Sequence, residues 1–245
     1  MGIKGFILVA VSTAVVGFTF RFVKPIRQDE GYHNFADART IMGVPNFMNV
    51  VSNIFFVFAG LFGLYAAFNV WETRDRLTIL SYLTFFGGVL LTGFGSAWYH
   101  LKPDNERLVW DRLPMTISFA GLFSSVLSET SYPSVGAILL FPLIILGIFS
   151  VIYWIRGERR GKGDLRLYGL IQFLPALLIP LILFTYGGSK EYILHLSALV
   201  LFYALAKLFE FLDEIIYSNG KVVSGHTLKH ISASAGVACM AWIFI

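Results

Sequence analysis

The chain has 245 residues, of which 56% are hydrophobic and only 14% are charged, and its mean hydropathy is +0.71. About a quarter of the residues of a soluble domain are charged, so this composition excludes an ordinary soluble enzyme and indicates a polytopic membrane protein. The net charge of +4 is modest, and its basic residues cluster in loops, which argues against nucleic acid as a partner. The single cysteine, Cys239, excludes an intramolecular disulfide.

Eight apolar segments are long enough to cross a bilayer, because a helix needs about 20 residues to span roughly 30 Å of hydrocarbon. In chain order they lie at about residues 4–23, 46–71, 77–100, 108–128, 133–155, 165–185, 191–213 and 226–245. Short polar turns separate them, and no linker is long enough to divide two compact domains. The sequence therefore predicts an all-α, polytopic transmembrane helical bundle with a seven-helix core and one extra N-terminal helix.

Residues 1–45 are predicted to form a transmembrane anchor and a polar loop, and residues 46–245 the seven-helix core. A cleaved signal peptide is the alternative for the first segment. However, only Lys4 precedes its apolar stretch and no small-residue cleavage site is evident before Arg21, so an uncleaved anchor is favoured. The polar loop is expected to lie outside the bundle. Its acidic residues and histidine are Asp29, Glu30, His33 and Asp37.

The positively charged residues predict the orientation. Helix counting places 14 of the 19 Lys and Arg residues on the face where the first segment ends, and Lys207 within a helix. The opposite face has Lys4, Arg74, Arg76 and Lys190. Because cytoplasmic loops are enriched in Lys and Arg, the richer face is predicted to be cytoplasmic, with both termini on the other side.

Polar residues recur at the helix ends on this richer face. Ser96 and His100 are four residues apart, and so are His226 and His230, so each pair shares one face of its helix. Helix counting brings both pairs and Asp111, which opens the fourth segment, to the same side of the membrane. Ionisable groups at membrane depth are costly and by default indicate a functional site.

These residue types suit metal-assisted hydrolysis. Three neutral imidazoles can hold zinc with one position left for water, and zinc lowers the pKa of that water towards about 7. Asp111 would then act as general base and general acid, and Ser96 would stabilise an oxyanion or orient the water. The expected substrate is a lipid-like carbonyl compound. The alternative for Asp111 is an interfacial ion pair with Arg112.

Other polar residues have structural explanations. A lone histidine at a membrane interface is usually only a snorkelling polar residue, which is the expectation for His33 and His195. Lys207 is expected to pair with Glu210 or Glu214, and an assisting role for Glu210 at the site is the less favoured alternative. The residues expected to serve helix packing are Asn49, Ser52 and Asn53.

With these residues the chain resembles the CREST superfamily of seven-helix membrane hydrolases, which includes the alkaline ceramidases and the progestin and adipoQ receptors. The family pattern is Ser-x3-His, then Asp, then His-x3-His, and it covers about four-fifths of this chain. Residues 46–53 (Asn-Phe-Met-Asn-Val-Val-Ser-Asn) and 111–115 (Asp-Arg-Leu-Pro-Met) look closest to the ceramidase branch.

The resemblance implies an integral membrane, zinc-dependent hydrolase that cleaves the N-acyl bond of ceramide or a related N-acyl lipid. It implies metal ligation by His100, His226 and His230, with catalytic roles for Ser96 and Asp111. Residues 46–245 would then be the hydrolase core, with a ceramide-like lipid as partner; the oligomeric state stays open.

The resemblance leaves further alternatives. Alkaline ceramidases bind calcium through an acidic, Trp-containing N-terminal segment, whereas residues 28–37 are acidic but lack Trp, so a Ca²⁺ site there departs from the pattern. A progestin- or adipoQ-receptor-like lipid sensor with a structural zinc is the main rival function. A transporter with a charge relay through Lys207, Glu210 and Asp213 would predict inverted repeats or broken helices, which the sequence does not show.

Overall fold

The computed structural model describes residues 2–131 and 133–245, and over these residues the protein is a helical bundle without β-strands. The predicted all-α fold is confirmed. Helices α1 to α5 are Ile3–Phe22, Phe47–Val51, Ile54–Asn69, Arg76–Leu101 and Asn105–Thr130. Helices α6 to α10 are Pro133–Glu158, Arg166–Tyr186, Lys190–Phe211, Asp213–Gly220 and Gly225–Ala241. Two 3₁₀ turns, Glu30–His33 and Trp242–Phe244, lie in the first loop and after α10.

Within the described residues, six spans are long and apolar enough to cross a membrane: α1, α2 together with α3, α4, α6, α7 and α8. The sequence predicted eight. The two that differ are α5, which is long but rich in serines and charged residues, and α10, which has 17 residues. Both helices carry residues of the candidate site described below, so part of their polarity belongs to that site.

The outer surface of the bundle is apolar and its interior is partly polar. Phe141 on α6 and Phe184 on α7 expose 69% and 90% of their surface. Such faces suit contact with lipid chains, where packing and interhelical hydrogen bonds hold helices together. Inside, Ser81 and Ser124 are fully buried and their hydroxyl groups lie 2.8 Å apart. This distribution is that of a multi-pass membrane protein.

The close packing of α4 against α5 positions the centre of the molecule. Asp104 caps α5 by accepting a hydrogen bond of 2.7 Å from the Arg107 amide. Gly95 on α4 faces Trp110 on α5, and a Cβ atom added at Gly95 would come within 2.0 Å of the carbonyl oxygen of Trp110. Only glycine permits this approach, which brings the neighbouring residues Ser96 and Asp111 together.

The second predicted segment is broken rather than continuous. Helix α2 ends at Val51 and α3 begins at Ile54. The Asn53 amide donates a 2.7 Å hydrogen bond to the carbonyl group of Asn49, and such side-chain bonds compete with regular helix geometry. The break includes Ser52, which is buried and contacts α10.

The expectation that the polar loop lies outside the bundle is wrong for Asp37 and His33, whereas Asp29 and Glu30 are exposed. Asp37 is only 1% exposed, and its carboxylate accepts a 2.7 Å bond from Arg39. The amide of Ala36 donates to the Asp213 carboxylate at 3.1 Å. Burial raises the pKa of Asp37, but the bonds from Arg39 outweigh it and leave that pKa below its usual value. The loop folds back because its polar groups find partners on the bundle.

Candidate metal centre and adjoining cavity

Three histidines from two helices converge inside the bundle. His100 lies at the end of α4, and His226 and His230 lie on the first two turns of α10. Each is at most 5% exposed, and one ring nitrogen from each lies within 4.8 Å of the others. The Nε2 atoms of His100 and His226 are 3.3 Å apart. The structure therefore groups the three residues that the sequence singled out as metal ligands.

The geometry of this cluster fits a tetrahedral metal ion. Zinc–nitrogen bonds of about 2.0–2.1 Å at tetrahedral angles separate two ligand nitrogens by about 3.3–3.4 Å. The separation between His100 and His226 agrees with that value. Among the described residues, this is the one group of three His, Cys, Asp or Glu side chains with such spacing. Among the residues that the structure describes, the acidic side chains of the polar loop belong to no such group.

Hydrogen bonds orient two of the histidines. The Nδ1 atom of His230 lies 2.8 Å from the Ser52 hydroxyl, which leaves Nε2 to face a metal. The backbone amide of His226 donates to the Asp213 carboxylate at 2.7 Å, the same carboxylate that holds the polar loop. Ser52 was expected to serve helix packing only. Its contact could not be foreseen because helical spacing does not give the rotation of one helix against another.

The third histidine is held by its backbone and covered by an aromatic ring. The carbonyl group of His100 accepts a 2.9 Å bond from the Asn46 side chain, and its Nδ1 atom has no partner within the described residues. The Phe35 ring lies 4.6 Å from the His100 ring and 4.4 Å from the His226 ring, centroid to centroid. Phe35 thus closes the loop side of the cluster.

A cavity of about 400 Å³ adjoins the cluster, and its wall includes Ser96, Asp111 and His230. Ser96 is 3% exposed, and its hydroxyl lies near the Asp111 carboxyl group. Much of the remaining wall is apolar, with Phe85 and Leu122 among its residues. An apolar cavity with a few converging polar groups has the form of a small-molecule binding site, here one suited to hydrocarbon chains.

Two lysines and a carboxylate form a second polar group on the cavity wall. Lys207 and Lys229 bind the two oxygens of Glu210 at 2.8 and 2.9 Å. The predicted pair of Lys207 with Glu210 is confirmed. The sequence assigned Lys229 only to the positive face of the membrane, although it lies between His226 and His230 on α10.

The other two histidines lie outside the cluster. His33 uses both ring nitrogens, with the Tyr99 hydroxyl at 2.9 Å and the Asn105 side-chain oxygen at 3.0 Å. It therefore ties the polar loop to α4 and α5, a more specific role than the snorkelling residue that we expected. His195 lies on α8 and is half-buried.

The fold and this site together define a class, the multi-pass helical membrane proteins with a buried three-histidine cluster beside an apolar cavity. The ceramidase family model matches residues 39–245, and the chain belongs to the ceramidase family. This match confirms the resemblance to the ceramidase branch and leaves α1 outside the matched region. No curated protein matches the chain.

Proposed function

We propose that this protein is a zinc-dependent amide hydrolase that cleaves the N-acyl bond of ceramide or a related N-acyl lipid. The observation that carries the proposal is the buried cluster of three imidazoles beside a cavity that also holds Ser96 and Asp111. Membership of the ceramidase family supports the same reaction. The apolar wall of the cavity suits the hydrocarbon chains of such a lipid.

The histidines would hold the metal as neutral imidazoles. The Ser52 hydroxyl fixes the ring of His230 through Nδ1. The Nε2 atoms of His100 and His226 are 3.3 Å apart, a separation that suits two ligands of one metal ion. When bound, zinc supplies a Lewis acid that polarises a carbonyl group and acidifies water. Phe35 excludes bulk water from the loop side, which strengthens electrostatic interactions within the site.

Asp111 and Ser96 would move the proton and stabilise the developing charge. Asp111 takes a proton from the attacking water, whose oxygen bonds to the acyl carbon, and later delivers that proton to the leaving nitrogen as the C–N bond breaks. The products are a fatty acid and an amine. Ser96 donates a hydrogen bond to the carbonyl oxygen while it carries negative charge. Asp111 and Ser96 both line the cavity, which supports this division of roles.

The test combines metal content with hydrolysis. Purified protein should contain about one zinc per chain, and the His226→Ala, His230→Ala double variant should contain none, as measured by elemental mass spectrometry. Wild type should release fatty acid from ceramide. Asp111→Asn should keep the zinc and lose activity by about 100- to 10,000-fold, the usual contribution of general acid–base catalysis.

Two results would contradict the proposal. A well-folded, unchelated wild type without metal would remove the basis for the reaction. Bound zinc without hydrolysis of any N-acyl lipid would favour the lipid sensor with a structural zinc.

A further inference from the structure

The charges on the cavity wall do not balance. The wall carries three cations, Arg112, Lys207 and Lys229, and two carboxylates, Asp111 and Glu210. Both lysines bind Glu210. In the part of the chain that the structure describes, Arg112 forms no ion pair with a carboxylate within 4 Å, although Asp111 precedes it. The cavity therefore has one positive charge in excess.

Arg112 is buried with one nitrogen unused. The residue is 6% exposed, its Nη2 atom donates to the Gln28 side-chain oxygen at 2.6 Å, and its Nη1 atom is buried without a hydrogen-bond partner among the described residues. The guanidinium carbon lies 4.2 Å from the Trp154 ring centroid and 4.8 Å from that of Tyr168. Aromatic rings stabilise a cation but supply no counter-charge. An oxyanion would complete this site.

Arg112 lies at the end of the cavity that is nearest to the histidine-bearing end of the bundle. Arg112 lies on the second turn of α5, Trp154 near the end of α6, and Tyr168 on the first turn of α7. All three are at the end of the bundle that carries the histidines. Phe119 and Leu122, further along α5, continue the cavity towards the membrane interior. A lipid with its chains along that wall would place its head group beside Arg112.

We propose that Arg112 binds an anionic head group, so that the preferred substrates are N-acyl lipids with a phosphate, sulfate or carboxylate group near the amide. This inference rests on the proposed amide hydrolysis for the identity of the lipid, but the head-group site itself does not require turnover. The free carboxylate of a fatty-acid product is the other source of an anion, and the experiment separates the two.

The experiment measures binding to chelated, metal-free protein in neutral detergent, by displacement of a fluorescent N-acyl lipid. The probes are an N-acyl amino alcohol, its phosphate ester and a fatty acid, all with the same chain. Wild type should bind the phosphate ester about 10- to 100-fold more tightly than the neutral lipid, the range for a hydrogen bond to a charged group. Arg112→Gln should remove this preference, and Arg112→Lys should retain part of it.

Arg107→Gln is the matched control. Arg107 also lies on α5 and over a tryptophan ring, with its guanidinium carbon 4.2 Å from the Trp98 centroid, but it does not line the cavity. Its substitution should leave the preference intact. If Arg112→Gln does not fold, equal affinity of wild type for the probes would still refute the proposal, and Arg112→Lys becomes the test: a reduced preference supports the proposal and an unchanged one contradicts it.

Three outcomes would overturn the proposal: equal wild-type affinity for the neutral lipid and its phosphate ester, a preference that persists in Arg112→Gln, or an Arg112-dependent preference for the fatty acid over both lipids. Since the experiment measures binding and not turnover, a failure of the hydrolase proposal would leave this result readable.

Discussion

Replacement of Gly95 by alanine should displace Ser96 and Asp111, the residues proposed for catalysis, without changing either of them. The added Cβ atom would lie 2.0 Å from the Trp110 carbonyl oxygen, whereas ordinary contact begins at 3.4 Å. The backbones of α4 and α5 must therefore separate by about 1.4 Å at this point. Overpacking of this kind costs about 1–3 kcal/mol, of which the better helix propensity of alanine offsets up to about 1 kcal/mol.

The effect on turnover should exceed the effect on stability. Ser96 follows Gly95 directly and Asp111 follows Trp110, so the separation of the backbones acts on the pair that the proposed reaction needs. A misplacement of about 1 Å costs roughly 100-fold in rate. Thermal unfolding in detergent and ceramide hydrolysis would be measured side by side for Gly95→Ala and a control on the same helix.

Gly87→Ala is that control. Gly87 also lies on α4, but nothing lies within 4 Å of a Cβ atom built there. We expect Gly87→Ala to be as active as wild type and up to about 1 kcal/mol more stable. If Gly95→Ala matched the control in stability and turnover, the reasoning from the contact between α4 and α5 would be refuted.

Four further substitutions test the surroundings of the site. Ser52→Ala removes the partner of His230 Nδ1 and should weaken zinc affinity about 10- to 100-fold in a competition titration; unchanged affinity would contradict a role for this bond. Ser96→Ala should lower kcat by about 100- to 1,000-fold with little change in KM, and an effect on KM alone would argue against oxyanion stabilisation. Phe35→Ala removes the ring from the loop side of the histidine cluster and should speed the loss of zinc to a chelator; an unchanged rate would contradict a role for the ring in limiting access. Because the pKa of Asp37 is lowered on folding, its carboxylate stabilises the loop fully above the unfolded value of 3.8 and less as the pH falls below it. Asp37→Asn should therefore increase the hydrogen exchange of residues 24–45 at pH 7 and make that exchange change less as the pH is lowered. Wild-type protection of these residues in the variant would contradict this.

The sequence was sufficient to predict the grouping of the histidines. The four-residue spacing of His226 and His230 puts both on one helix face, and counting of the spans puts His100 at the same depth. Both rules depend only on helix geometry and on the direction in which each span crosses the membrane. They apply whenever the spans are correctly recognised.

The contacts around the histidines depend on information that helical spacing does not contain. The contact of Ser52 with His230 follows from the helix break at residues 52–53, where the sequence shows only an apolar segment. The placement of Phe35 against two histidines depends on how an irregular loop folds back, and loops have no period to extrapolate. The Arg112 side chain binds Gln28 and not its neighbour Asp111, because adjacent residues on a helix point in different directions.

The attachment points of the polar loop limit how far Phe35 can travel. Gln28 is held by Arg112 and Ala36 by Asp213, and within the seven residues between these two attachments His33 is itself bound to Tyr99 and Asn105. Phe35 directly precedes the second attachment, so the ring can swing aside by little more than its own side chain unless the bond to Asp213 breaks. Exchange of a metal ion on this side would then require the loop to detach from Asp213, which predicts slow exchange.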